Sequence, residues 1–590
     1  MKPVTTGGEP LKLILCWHMH QPDYRHQGEY LRPWTWLHAI KDYTDMATHL
    51  EAIPGARAVV NFSPVLIEQL QDYPVRIQAM LQRGEPVRDA ILDALGGQFP
   101  SGNQGEEAMT SLLRSLLRVN EARMKNRFPA YARLHERAVQ ALAAGQILPR
   151  QQMDDLLTWY VLVWLGESLR KASVPAALQV KESGFTLEER RALLAWLGEV
   201  LGQVLPRYRA LADSGRVELS VTPFAHPILP LLLDLNCARE AWPDVVLPAA
   251  VYPGGAARCD WHLAQALRVF RRAFGRRPAG CWPAEGGISA ATLRLLARHG
   301  FAWTASGTRV LCNSLGDADG LPQLYAWRQD GSATDTEAPD DSLICFFRDD
   351  GLSDRIGFEY SKLPANAALD DFIQRLEQVH AEFAPVGGAV LSIIMDGENA
   401  WEYFPHNAWD FLHGLYARLA AHPDIHLTTF AAALQGITPR LLPGLVAGSW
   451  VHGTFSTWIG DPAKNRAWEL LIGAKRTVDA ALEPELQAAA QEGRSPAHWV
   501  HAIWRQLAVC EASDWFWWLG EDNRLEDGPA FDELFRQQLA DLYELIGMAP
   551  PAELSHSING GPENVGAPPF AAASGQAAGA MRPAGEEPAD

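Results

Sequence analysis

Seven short runs of apolar and β-branched residues recur through the first two thirds of the chain, and most lead into a loop and then a helical pattern. They cover 11–18, 58–62, 216–222, 279–282, 301–305, 343–347 and 389–395. Each has the length of a strand. Strands alternating with helices argue for parallel pairing with the helices packed outside, and seven such units argue for a barrel over an open sheet. Between 65 and 212 the apolar period is helical, as in AMTSLLRSLLRVNEARM and ERRALLAWLGEVLGQVLPRYRALA. That stretch reads as a long helical insertion between the second and third strands. Beyond 401 the pattern is again mostly helical, ending in FDELFRQQLADLYELIG, after which Gly, Pro, Ala and Ser dominate. The expected organisation is an α/β barrel domain over 1–400, an α-helical domain over 401–548 and a disordered tail over 549–590.

In parallel barrels the chemistry sits at the carboxyl ends of the strands. Here those ends carry His18, His20 and Gln21, then Asn61, then Glu218, Thr222 and His226, then Glu285, Ser306, Arg348 with Asp349, and Asp396. Strand side chains alternate between faces. Cys16, His18 and His20 therefore share one face against Leu15, Trp17 and Met19, and Glu218, Ser220 and Thr222 share another. These polar faces are expected to point into the top of the barrel.

Charge and cysteine usage narrow the partners. The chain holds 51 Lys and Arg against 70 Asp and Glu, a formal net charge of −19. So acidic a chain is poorly suited to nucleic acid or anionic lipid and suits a neutral substrate. The seven cysteines are scattered, odd in number and never spaced C-x-x-C, which reads as a reducing compartment without a disulfide frame. The first ten residues lack the apolar core of a signal peptide, and the longest apolar run, at 156–166, is too short to span a bilayer. A cytoplasmic location is expected.

Two carboxylates carry the chemistry. Glu285 lies in CWPAEGG and Asp396 in IIMDGENAW, both just past apolar strands. Partial desolvation raises a carboxyl pKa, as a general acid near neutral pH requires. Two carboxylates flanking a glycosidic bond at about 5–5.5 Å give a retaining double displacement. Each alone reads equally as a helix cap or a partner for arginine. His18 and His20, at i and i+2, suit either hydrogen bonding to sugar hydroxyls or a metal site completed by Asp396, Glu218 or His226. The DWH at 260–262 reads as a turn or cap before a helix. The chain has 21 Trp against 13 Tyr. Trp34, Trp36, Trp282, Trp401, Tyr403, Trp450, Trp458, Trp515, Trp517 and Trp518 lie near the candidate residues in sequence. Any one of them can be core, and their flat faces also suit sugar rings. Asp461, Asn465, Asp514 and Asp522 favour the sugar reading for the later clusters.

WHMHQP at 17–22, GRVELS with TPFAHPI at 215–228, CWPAEGG at 281–287, MDGENAW at 395–401 and SW…FSTWIGDPAKNRAW at 449–468 resemble the five conserved regions of glycoside hydrolase family 57. YLRPWTWLHAIKDYTDMA looks most like its α-amylase and amylopullulanase-type members. The resemblance implies an incomplete seven-stranded parallel (β/α) barrel and a C-terminal helical domain that completes the cleft. It implies retaining action on α-glucans without a metal or other cofactor, with Glu285 as nucleophile and Asp396 as acid/base. His18, His20, Glu218 and His226 would line the subsite beside the cleaved bond, and Trp450 would close it. Gln21, Trp282, Trp401, Trp458 and Asp461 complete the expected substrate-binding set. An α-1,4-glucan hydrolase working on glycogen, maltodextrin or starch is the expectation. A 4-α-glucanotransferase is the alternative, and a metal-dependent hydrolase or deacetylase and a glucan-binding protein without catalysis are the rivals from other classes.

Overall fold

The structure, a computed structural model, describes residues 9–100, 105–316, 323–327, 343–385, 387–521 and 528–559. All seven expected strands form: β1 (Leu11–Met19), β2 (Ala58–Phe62), β3 (Val217–Val221), β4 (Gly280–Cys281), β5 (Trp303–Gly307), β6 (Leu343–Arg348) and β7 (Val390–Asp396). They pair in parallel in the spatial order β7-β1-β2-β3-β4-β5-β6. Closure between β6 and β7 is thin, resting on the one register pair Ser392↔Arg348. The Arg348 guanidinium reinforces this seam by donating to the Ile394 carbonyl at 2.8 Å, and Asp349 N donates to Ser392 O at 2.8 Å.

The alternation read from β1 holds. Leu11, Leu13, Leu15, Trp17 and Met19 belong to the large core between barrel and helices, whereas Ile14 and Cys16 belong to a second, interior cluster with Val59, Trp303, Phe346 and Ile394. That cluster is sealed from below by a segment the sequence did not show. β8 (Ile425–Thr428) pairs with residues 11–14 of β1, beside the part of that long strand that β2 does not reach. The turn of helix after it, Phe430–Ala433, sets Phe430 against Trp303 and Phe346 at 4.2 and 4.4 Å between ring centroids. The sheet therefore draws on chain beyond residue 400. A three-residue strand, Tyr325–Trp327, also runs antiparallel to β6.

Helices fill the insertion from α1 (Pro64–Arg83) to α2 (Leu187–Asp213). α1 begins with proline in its first turn and ends on Gly84 at φ +72°, the asymmetry helix ends favour. α2 begins with a reciprocal cap: Thr186 Oγ1 accepts from Glu189 N and the Glu189 carboxylate accepts from Thr186 N. The 260–262 motif lies inside α3 (Gly255–Phe274), not before a helix. There a fully buried Glu511 accepts from Arg258 at 2.7 Å, from His262 at 2.7 Å and from Tyr252. This network ties α3 to the end of α5 (His498–Cys510), which packs with α4 (Pro462–Glu492) and α6 (Gly528–Leu545). The expected tail starts ordered: Arg536 donates to Leu554 O, and Ser557 and Ile558 reach Asp532. Residues 560–590 lie outside the described part. Among the described residues no helix is long and apolar enough to cross a membrane.

Candidate active site

At the carboxyl end of the barrel a cleft of about 860 Å³, partly open to solvent, is lined by His18, His20, Gln21, His226, Glu285 and Asp396 together with Glu398, Asp514 and several aromatic rings. Strand register sets the floor. Asp396, His18, Asn61 and Ser220 are successive partners across β7, β1, β2 and β3. Asn61 is the hub: its amide donates to Ser220 Oγ at 3.0 Å, and its oxygen accepts from Thr222 Oγ1 and from His18 Nδ1, both at 2.7 Å. With a proton on Nδ1, a neutral His18 presents Nε2 as acceptor to His226 Nε2 at 3.0 Å. His226 then presents Nδ1 as acceptor to the Ser513 hydroxyl at 2.8 Å. Burial pushes the His18 pKa down to about 3, with the neighbouring His20 adding to it, and drives that of His226 well below the usual value. Both rings are therefore neutral hydrogen-bonding groups.

Glu285 sits on a tight turn after β4 with φ +58° and ψ +23°, followed by Gly286 at φ +59°. A non-glycine residue in the left-handed region is strained by about 1–3 kcal/mol and persists only where its surroundings enforce it. Here Trp450 N donates to Glu285 O at 3.0 Å, Ser306 Oγ donates to Gly286 O at 2.6 Å, and Ile288 pairs with Gly448. A Cβ on Gly286 would meet the Trp282 ring at 2.9 Å, and one on Gly307 would meet Trp450 Cα at 2.8 Å. The turn can lie this close to Trp282, and the returning 448–450 segment this close to the end of β5, only because both positions are glycine. His226, facing Glu285 at 3.8 Å, is likewise at φ +61°.

The Glu285 side chain accepts from Trp450 Nε1 at 3.0 Å and lies 3.5 Å from Ser513 Oγ. Burial, then repulsion from Asp396, raises its pKa to about 8. Burial also raises Asp396, to about 6, against the opposing pull of His20 and Arg348. The two carboxylates are thus electrostatically coupled, and at neutral pH the pair holds one proton. Two further acids frame them. Asp514 accepts from His20 Nε2 at 2.9 Å, and Glu398 accepts from His20 N at 2.9 Å and from the Tyr43 hydroxyl.

Not every expected residue reaches the cleft. Glu218 lies level with Val59, one layer below His18, where it accepts from Trp303 Nε1 at 2.7 Å and Ala431 N at 2.8 Å. It anchors the lower seal. Trp401 is wholly buried against Trp17, its indole bonded to Gly397 O. Trp282 is wholly buried beneath Trp450, with ring centroids 5.2 Å apart. Trp458 is also core, and Asp461 caps α4 by accepting from Ala463 N at 2.7 Å. Asp522 lies outside the described residues. The sequence reading left out Ser513, Glu398 and Glu402 and gave Asp514 only as a polar neighbour. Glu398 had a signal in MDGENAW, two residues past Asp396, whereas Ser513 had none short of the fold.

His20, His226 and Asp514 bring three ligating atoms within 4.8 Å of one another. The geometry favours hydrogen bonding over a cation. The two rings are stacked at 3.8 Å and 13°, so their lone pairs run side by side, and all four ring nitrogens have protein partners.

The family model for glycosyl hydrolase family 57 matches residues 14–445. The chain belongs to that family. Solved structures agree on the fold. A GH57 branching enzyme from Thermococcus kodakaraensis is 13% identical over 91% of this chain and 90% of its own, with a TM-score of 0.55. A GH57-type branching enzyme from Pyrococcus horikoshii is 15% identical over 95% and 99%, at 0.54. The α-amylase AmyC from Thermotoga maritima is 12% identical over 91% and 94%, at 0.52. Comparison with curated proteins gave no match. Family membership makes the chain a glycoside hydrolase or transferase, with the fold that its motifs implied.

Proposed function

We propose that this family 57 protein is a retaining enzyme acting on α-1,4-glucans such as glycogen, maltodextrin or starch, with Glu285 as nucleophile and Asp396 as acid/base. The observation that carries the reading is the coupled pair itself: two half-buried carboxylates, one on the turn after β4 and one at the end of β7, on one cleft, sharing one proton near neutral pH. In the first step Glu285 attacks the anomeric carbon, the C1–O bond breaks, and Asp396 gives its proton to the departing oxygen. In the second, Asp396 takes a proton from water, whose oxygen attacks C1 and releases Glu285.

Before substrate binds, the pair prefers the proton on Glu285, the reverse of what attack requires. The form with the proton on Asp396 has the same total charge, so it is populated over the same pH range. Trp450 Nε1 favours ionised Glu285, and no acceptor or donor holds Asp396 in a comparable way among the described residues. The neutral His18 and His226 and the His20–Asp514 pair supply sugar-hydroxyl partners next to the bond.

Chain transfer is the second reading. It is favoured by two branching enzymes among the structures of like fold and by Trp517, Trp518 and Phe531 on the cleft wall, which can hold an acceptor sugar. Incubation with maltodextrin tests the proposal: new reducing ends mean hydrolysis, and disproportionation of maltotriose without them means transfer. Unchanged chain lengths would refute both. Activity abolished by a chelator and restored by zinc would refute the metal-free mechanism.

A further inference from the structure

One part of the cleft wall carries hydrogen-bonding groups that no described residue satisfies. Trp34, His38 and Glu402 belong to it. Among the described residues, Trp34 Nε1 and Glu402 Oε2 are buried without a hydrogen-bond partner, and so are Lys41 Nζ and Asp42 Oδ1 beside them. Lys41 is 1% exposed and Glu402 5%. One cation faces two acids there: Lys41 Nζ lies 3.5 Å from Asp42 and 3.6 Å from Glu402, and 4.7 Å from the Trp164 ring centroid. Those separations exceed good hydrogen-bonding distance. His38 donates Nδ1–H to Asp42 at 2.7 Å, which leaves Nε2 as the ring's acceptor.

Buried polar groups are seldom left unpaired, because each has given up its bonds to water without replacing them. Acceptors and donors clustered on a cleft wall, beside an indole, match the alternating hydroxyls and apolar face of a pyranose. None of these groups takes part in the two-carboxylate chemistry. Glu402 lies six residues past Asp396, on the short helical turn Asn399–Tyr403.

We infer that Trp34, His38 and Glu402 form a distal subsite that binds a further glucosyl unit of the chain, with Glu402 Oε2 accepting from one sugar hydroxyl and Trp34 Nε1 donating to another. The inference rests on the glucan reading, and it sets the length of chain the enzyme uses best.

Initial rates on maltooligosaccharides from maltotriose to maltoheptaose, measured with wild type, Glu402→Gln and Trp34→Phe, test it. Loss of a hydrogen bond to a charged group weakens binding about 10- to 100-fold. The kcat/KM of Glu402→Gln should fall by that factor on the longest substrate, with the loss growing with chain length. Trp34→Phe keeps the ring and should show the same trend with a smaller loss. Equal losses at every length would overturn the subsite and leave the glucan reading standing. A wild type that leaves every maltooligosaccharide unchanged would overturn the glucan reading and the subsite with it. Should either variant fail to fold, a crystal structure of Glu285→Gln with maltoheptaose decides. A sugar ring touching Trp34 and Glu402 supports the subsite, and ordered waters alone refute it.

Discussion

Glu285 concentrates the physics of the site in one residue: a left-handed backbone, a desolvated carboxyl and a neighbour of like charge. Its pKa of about 8 and that of about 6 for Asp396 define a state with one proton, present between those values. The pH dependence of kcat/KM should therefore be a bell with limbs near pH 6 and 8; a plateau extending to pH 10 would contradict it. Trp450 Nε1 donates to Glu285 and stabilises its ionised form, so Trp450→Phe should move the alkaline limb upward, while a merely structural tryptophan would lower the rate without moving either limb. Both carboxyls are raised above their unfolded values. Their contribution to stability is thus fully present below the unfolded pKa and is lost as pH rises through the folded one, a tenfold gain in proton affinity on folding being worth about 1.4 kcal/mol. Glu285→Gln should accordingly raise Tm at pH 8 more than at pH 5, in thermal scans at the two values, while lowering kcat by several orders of magnitude. The shared cleft position of Glu285, Asp396, His18, His20 and His226 was legible because each ends or follows an apolar strand. Trp401, Trp282 and Trp458 misled because proximity in sequence to a motif does not say which face of the strand or loop an indole occupies.

Arg348 closes the weakest seam of the barrel. It joins β6 to the Ile394 carbonyl of β7, is held by Asp350 at 2.8 Å and by Asp354, and lies 5.4 Å from the Trp450 ring centroid. Replacing it by methionine leaves two acids unpaired at the seam and should cost about 3–5 kcal/mol, measured by urea denaturation. Because the Arg348 cation also holds the Asp396 pKa down, the same variant should shift the acid limb of the pH profile upward. A wild-type profile in a destabilised variant would show that this seam is only structural. The long strands announced themselves by alternation and by the helices after them. β8 and Tyr325–Trp327 did not, since segments of three or four residues carry too little periodicity, and their pairing is fixed by what β1 and β6 leave unpaired. His262 read as a turn because its partner Glu511 is 249 residues away.

The whole molecule completes its site from two regions far apart in the chain. The barrel supplies Glu285, Asp396 and the histidines; the segments around Trp450 and Ser513–Asp514 come from beyond it, with the Arg258–His262–Glu511 network fixed two residues before Ser513. Strand pattern showed the first contribution, whereas the second depends on helix packing that composition cannot report and was implied, for Trp450, by the family resemblance alone. The central claim is that Glu285 bonds covalently to the sugar. It is tested most directly by Glu285→Ala with an α-maltosyl fluoride and azide. Azide occupying the space of the missing carboxylate should restore turnover and yield the β-glycosyl azide. An α-azide, or no rescue from a folded variant, would contradict the assignment.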